Sequence, residues 1–146
     1  MTAEESLTHS VSFLLSKLGQ EANGRFADRL APLGLRPRHC AVLELLSGGP
    51  LAQLELARVV GVTPSVVVDM LDELEELDAV RRTRDTADRR RQVIELTPVG
   101  RELRRQTLAL ARQNDDELLS TISATEAAAL RQALGRIATA TGLISK

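Results

Sequence analysis

Residues 81–91, Arg-Arg-Thr-Arg-Asp-Thr-Ala-Asp-Arg-Arg-Arg, hold most of the chemistry this chain can offer. A guanidinium is planar, always charged and forked, which suits phosphate oxygens and the negative potential of a narrow minor groove. Arg82, Arg84, Arg89 and Arg91 are candidate phosphate contacts, groups that position a protein on DNA without reading its sequence. On charge alone the same run reads equally well as a solvated loop. No reaction centre is recognisable beside it. Two histidines (His9, His39) and one cysteine (Cys40) form no cluster at metal-ligand spacing, so no metal or cofactor is expected. There is no nucleophile–base pair and no phosphate-cradling glycine loop, so the chain does not read as an enzyme.

Charge is separated along the chain and nearly absent from its total. The net charge is −1 over 146 residues, with a pI of about 6.1. Binding to nucleic acid therefore has to come from the local arginine run, set against the acidic stretches 69–78 and 115–117. Aromatic residues make up 1%, with no Trp and no Tyr, which excludes modules that stack bases on aromatic platforms. A core of Leu, Val, Ile and Ala favours packed helices. A single cysteine fits a reducing compartment. The acidic start MTAEESLTHS lacks a signal-peptide pattern, and no apolar stretch approaches the roughly 20 residues of a membrane span. A cytoplasmic protein without membrane contact is the expectation.

The elements that must position the arginines follow from local signals. Leu7, Val11, Leu14, Leu15, Leu18, Phe26 and Leu30 predict an amphipathic helix over about 3–33, opened by a Thr2/Glu5 capping box and bent near Gly19 and Gly24. A second helix starts near Pro37 and stops at Gly48-Gly49-Pro50. A third, over 52–60 with Leu54, Leu56, Ala57 and Val60, closes at Gly61. Thr63-Pro64 is a hydroxyl cap followed by a first-turn proline; it opens a fourth helix over 64–77 with Val67, Met70, Leu71, Leu74 and Leu77 on one stripe. Two short helices around a tight turn make a helix-turn-helix, whose second helix can enter a major groove. Val80 and Val93, Ile94 and Leu96 flank the arginine run as two short strands of a hairpin. Thr97-Pro98 opens a long helix over 98–120. A Ser123/Glu126 capping box opens the last, over 124–144.

The fold class is thus mainly α, an α+β winged helix: a helix-turn-helix with a β-hairpin wing in residues 35–97, flanked by terminal helices in 1–34 and 98–146. The apolar stripes of the flanking helices exceed what one small lobe can cover. Pairing with a second copy would bury them, which makes the flanks a dimerisation region.

The words LRPRHCAVLELL, LAQLELARVVGVTPSVVVDMLDELEELDAV and DTADRRRQVIELTPVG resemble the MarR family of bacterial regulators. The last is similar to that family's wing signature. The resemblance implies a homodimeric transcriptional regulator, repressor rather than activator being the first expectation and the choice left open, with two lobes on successive major-groove faces of a palindromic site. It implies that Arg90 is the wing-tip arginine reaching into a minor groove. Asp88 would hold a neighbouring arginine by a charge-assisted bond, or act simply as a turn residue. On the recognition helix the exposed N-terminal positions are Thr63, Ser65, Val66, Val68 and Asp69, with Gln53 and Arg58 as lesser backbone contacts. Asp69 departs from the family, where a basic residue is common. Asp72, Glu73, Glu75, Glu76 and Asp78 read as a solvated acidic face.

Family members are often released from DNA by small amphipathic ligands, and by position Arg38, His39 and Cys40 are candidates to line such a cleft. The competing reading of Cys40 is a small buried hydrophobe. A rival for the whole chain is a helical interaction module whose basic hairpin binds an acidic protein.

Overall fold

The computed structural model describes residues 6–144. The elements are α1 (Val11–Leu30), α2 (Pro37–Leu46), β1 (Leu51–Ala52), α3 (Gln53–Val60), α4 (Pro64–Glu76), β2 (Val80–Arg84), β3 (Gln92–Leu96), α5 (Pro98–Leu118) and α6 (Ala124–Ala140). The chain forms two compact units, one up to Arg112 and one from Gln113 onward.

In the first unit the core is aliphatic, as the lack of aromatics requires. The α4 stripe Val67, Met70, Leu71 and Leu74 is fully buried against Leu30, Val42, Leu43, Leu56 and Ile94. Burying one such side chain contributes up to about 1.5–3 kcal/mol, so this stripe fixes which face of α4 turns inward. The opposite face is left to Ser65 and Asp69, both exposed. Leu54 does not follow the α3 stripe expected of it: it is 69% exposed, while Leu56 and Ala57 carry the packing.

Local chemistry sets the ends of these elements. The Thr63 hydroxyl accepts from the Val66 backbone N–H at 3.3 Å, capping α4. Gly61, at φ +80°, supplies the left-handed turn between α3 and α4. Asp78 takes the same region at φ 57° and ends the α4 segment. Helix α1 runs unbroken from Val11 to Leu30, through Gly19 and Gly24. It starts after a short 3₁₀ turn at Leu7–His9. The Thr2/Glu5 capping box lies outside the described residues.

The hairpin is part of a three-stranded antiparallel sheet in the order β1-β3-β2, and β1 was not foreseen. Leu51 pairs with Ile94 and Ala52 with Val93, while Val80 pairs with Leu96, Arg82 with Ile94 and Arg84 with Gln92. The sheet joins α5 through a close backbone contact. A Cβ on Gly100 would lie 2.0 Å from the Ala79 carbonyl oxygen, so only glycine fits there. Thr97 completes the joint: its hydroxyl accepts from the Gly100 N–H at 3.0 Å and donates to the Asp78 carbonyl.

In the second unit α6 begins with the expected box. The Ser123 hydroxyl accepts from Glu126 N–H at 3.1 Å, and the Glu126 carboxylate accepts from Ser123 N–H at 3.0 Å. The α6 side chains Leu130, Leu134 and Ile137 stay exposed, as do Val11, Leu14, Leu15 and Leu18 of α1 in the first unit.

Candidate nucleic-acid interface

Helix α4 carries five acids and no base: Asp69, Asp72, Glu73, Glu75 and Glu76. Such a helix repels phosphate unless other elements supply counter-charge, and they do. From the wing strand, Arg82 donates through Nε to Glu75 Oε2 at 3.0 Å, and its Nη2 reaches both Glu75 and Asp72. From α2, Arg38 Nη2 donates to Glu73 Oε1 at 2.8 Å, and the His39 ring holds Glu73 Oε2 at 2.5 Å. The expectation of a solvated acidic face therefore gives way at Asp72, Glu73 and Glu75.

Arg82 is accordingly engaged within the protein. Side chains alternate along a strand, so Arg82 shares the inward face with buried Val80 and opposes Ile94. Its side chain is only 21% exposed, and the Glu75 and Asp72 carboxylates raise its pKa above the ordinary arginine value. Arg81 faces the other way and pairs with its cross-strand neighbour Glu95 at 2.9 Å.

His39 likewise does not line a cleft. It is 1% exposed, and both ring nitrogens are engaged. Nδ1 accepts from the Arg36 backbone N–H at 2.9 Å, so the proton sits on Nε2 and is donated to Glu73. Burial lowers the His39 pKa below 6.5 and outweighs the opposing pull of Glu73. Burial also pushes Glu73 upward, but the hydrogen bonds from Arg38 and His39 win and hold it below the ordinary carboxylate value. Cys40 behaves as the small hydrophobe: it packs against the core, and burial pushes its thiol pKa up to about 11. Arg38 is spent on Glu73.

At the wing tip the geometry reverses. Two aspartates fold residues 85–91 by accepting backbone N–H groups two residues ahead, Asp85 from Ala87 at 2.9 Å and Asp88 from Arg90 at 3.1 Å. The Asp85 N–H also donates to the Arg91 carbonyl at 2.9 Å, and the Arg91 N–H to the Asp88 carbonyl at 3.0 Å. Arg84 steadies the loop by donating to the Arg89 carbonyl at 3.2 Å. Asp88 thus acts chiefly through the backbone, since its carboxylate lies 3.9 Å from Arg90 Nε. Arg91 stands 3.6 Å from Asp85. Arg90 is 96% exposed, and Arg89 is exposed beside it. On α4, Ser65 and Asp69 are exposed while Val66 and Val68 are half-buried. Arg58 on α3 sits 3.7 Å from Glu55.

A buried-stripe helix with a polar outer face, pinned to a hairpin that ends in exposed guanidiniums, is the layout of a winged helix-turn-helix. The MarR family model matches residues 33–91, from the turn before α2 to the wing tip. The HTH-type transcriptional repressor Rv2887 of Mycobacterium tuberculosis is 30% identical over 128 residues, covering 87% of this chain and 92% of that protein. The chain belongs to the MarR family. It is a DNA-binding regulator of transcription and not an enzyme.

Solved structures agree with the MarR assignment. A MarR-family regulator from Rhodococcus sp. RHA1 superposes with a TM-score of 0.80 at 34% identity, over 92% of this chain and 96% of that one. Rv2887 in complex with DNA gives a TM-score of 0.75 at 28% identity, over 88% and 97%. CouR from Rhodococcus jostii RHA1, bound to p-coumaroyl-CoA, gives 0.73 at 34% identity, over 92% and 95%. No helix among the described residues is long and apolar enough to cross a membrane.

Proposed function

We propose that this MarR-family protein is a homodimeric repressor that binds a palindromic operator and is released by a small-molecule effector. Residues 35–97 form the DNA-binding lobe, and 1–34 with 98–146 form the dimerisation region. The observation that carries the reading is the pinned wing, which is tied to α4 through Arg82 and leaves Arg90 exposed at its tip. In the dimer α4 enters the major groove, where Thr63, Ser65, Val66 and Val68 meet base edges and thymine methyls, and Asp69 accepts from cytosine N4. Arg90 enters the adjacent minor groove. Arg89 and, less directly, Arg84 and Arg91 meet the phosphate backbone.

The exposed apolar rows of α1 and α6 support the dimer, because isolated domains rarely leave such stripes in water. Two lobes related by a two-fold axis read half-sites about one turn of DNA apart. Repression is supported by the likeness to Rv2887, and release by the likeness to CouR, whose structure holds p-coumaroyl-CoA.

The decisive experiment selects duplexes from a random-sequence pool with the purified full-length protein, then titrates the selected and scrambled duplexes. Enrichment of an inverted repeat, bound by two chains per site, is expected. Equal affinity for both duplexes would overturn the operator reading and favour an acidic protein partner for the basic hairpin.

A further inference from the structure

The arginines of the wing fall into two classes, and the inner class has no counterpart in a simple picture of cations facing phosphate. Arg82 lies on the inward face of β2, and three of its contacts go to two carboxylates one turn apart on the recognition helix. Asp72 and Glu75 are themselves 53% and 39% exposed on the helix that carries Ser65 and Asp69. Without Arg82 the recognition helix would present two unpaired carboxylates toward polyanionic DNA, and the hairpin would lose its side-chain link to that helix. Glu73, on the other flank of α4, is held by Arg38 and His39 and so needs nothing from the wing.

We propose that Arg82 is a positioning residue for DNA recognition, which cancels the acidity of α4 and fixes the wing's angle to it without touching phosphate. The inference rests on the reading that α4 and the wing grip DNA together. It assigns the arginine to a network within the protein. A fork suits this task because one planar group can reach carboxylates on successive helical turns, which a lysine ammonium cannot do with the same geometry.

Salt dependence separates a positioning arginine from a phosphate contact. Each phosphate contact releases counterions, so its loss flattens the plot of log affinity against log salt by about one per protomer. The test measures the full-length protein on its selected duplex by fluorescence anisotropy across a salt series, with thermal melts of every variant. Arg82→Gln is expected to bind about tenfold more weakly, with a salt slope that returns to the wild-type value once the two acids are neutralised as well, whereas Arg90→Gln flattens the slope. Adding Asp72→Asn and Glu75→Gln to Arg82→Gln removes the acids that need cancelling and is expected to restore affinity to within about threefold of wild type.

Wild-type affinity in Arg82→Gln, or a slope that stays flattened in the folded triple variant, overturns the proposal. So does a folded triple variant that stays tenfold weak. If Arg82→Gln alone fails to fold, the triple variant decides between these outcomes. A wild-type protein that selects no sequence fails at the earlier step, and that result removes the operator reading and this inference together.

Discussion

The root and the tip of the wing use the same side chain for opposite ends. At the root Arg81 and Arg82 are spent on Glu95, Asp72 and Glu75, and the sheet register decides which acid each one meets. At the tip the aspartates are turned inward to backbone N–H groups, which leaves Arg89 and Arg90 for solvent. Composition alone cannot tell these arginines apart. What separates them is which neighbouring acids are already occupied, so a charge run has to be judged by its partners.

Apart from Arg82, whose loss is expected to lower affinity, the root should respond to substitution in stability and the tip in DNA affinity. The largest effect belongs to the root, where Gly100→Ala drives a methyl into the Ala79 carbonyl; a loss of about 3 kcal/mol in urea unfolding is expected. A variant as stable as wild type would mean the joint is not rigid. At the tip Arg90→Ala should leave unfolding unchanged and weaken operator binding by about ten- to a hundredfold, or 1–3 kcal/mol. A shifted melting temperature would merge the two classes.

Smaller effects sharpen the division. Asp88→Asn keeps an oxygen that can accept the Arg90 N–H, so its affinity should stay within about threefold of wild type and exceed that of Asp88→Ala. The two variants weakened equally would restore the charge clamp as the role of Asp88. The other anchor of α4 is read by pH. The His39 pKa is lower folded than unfolded, so its contribution is present above pH 6.5 and fades as pH falls below that value toward the folded pKa. The stability gap between wild type and His39→Gln should therefore narrow from about pH 7.5 to 5.5; a constant gap would place the titration elsewhere. The smallest effect is Arg81→Ala, within about 0.5 kcal/mol in stability, since its partner is an exposed cross-strand acid.

Much of the fold was legible because helix starts are written locally. Thr63-Pro64 and Ser123/Glu126 cap the helices they announce, and the α4 stripe Val67, Met70, Leu71 and Leu74 is buried, with Leu77 half-buried at its end. Elements whose evidence lies elsewhere in the chain were harder to read. Strand β1 has two residues, too few for any periodicity, and exists through its pairing with β3. Arg82 finds its acids on another element, and His39 finds Glu73 across 34 residues, so neither bond has a signature of spacing. One clue was in plain view: Arg82 shares parity with Val80, and a strand that buries one turns the other inward.

Strand β3 is hydrogen-bonded along both edges, to β1 on one side and β2 on the other. It cannot slide without breaking both ladders and swinging Ile94 out of the core. Length variation in the hairpin is thereby confined to the seven residues between Arg84 and Gln92. An insertion there lengthens the reach of the terminal guanidiniums, whereas an insertion within β3 breaks its pairing with both neighbours.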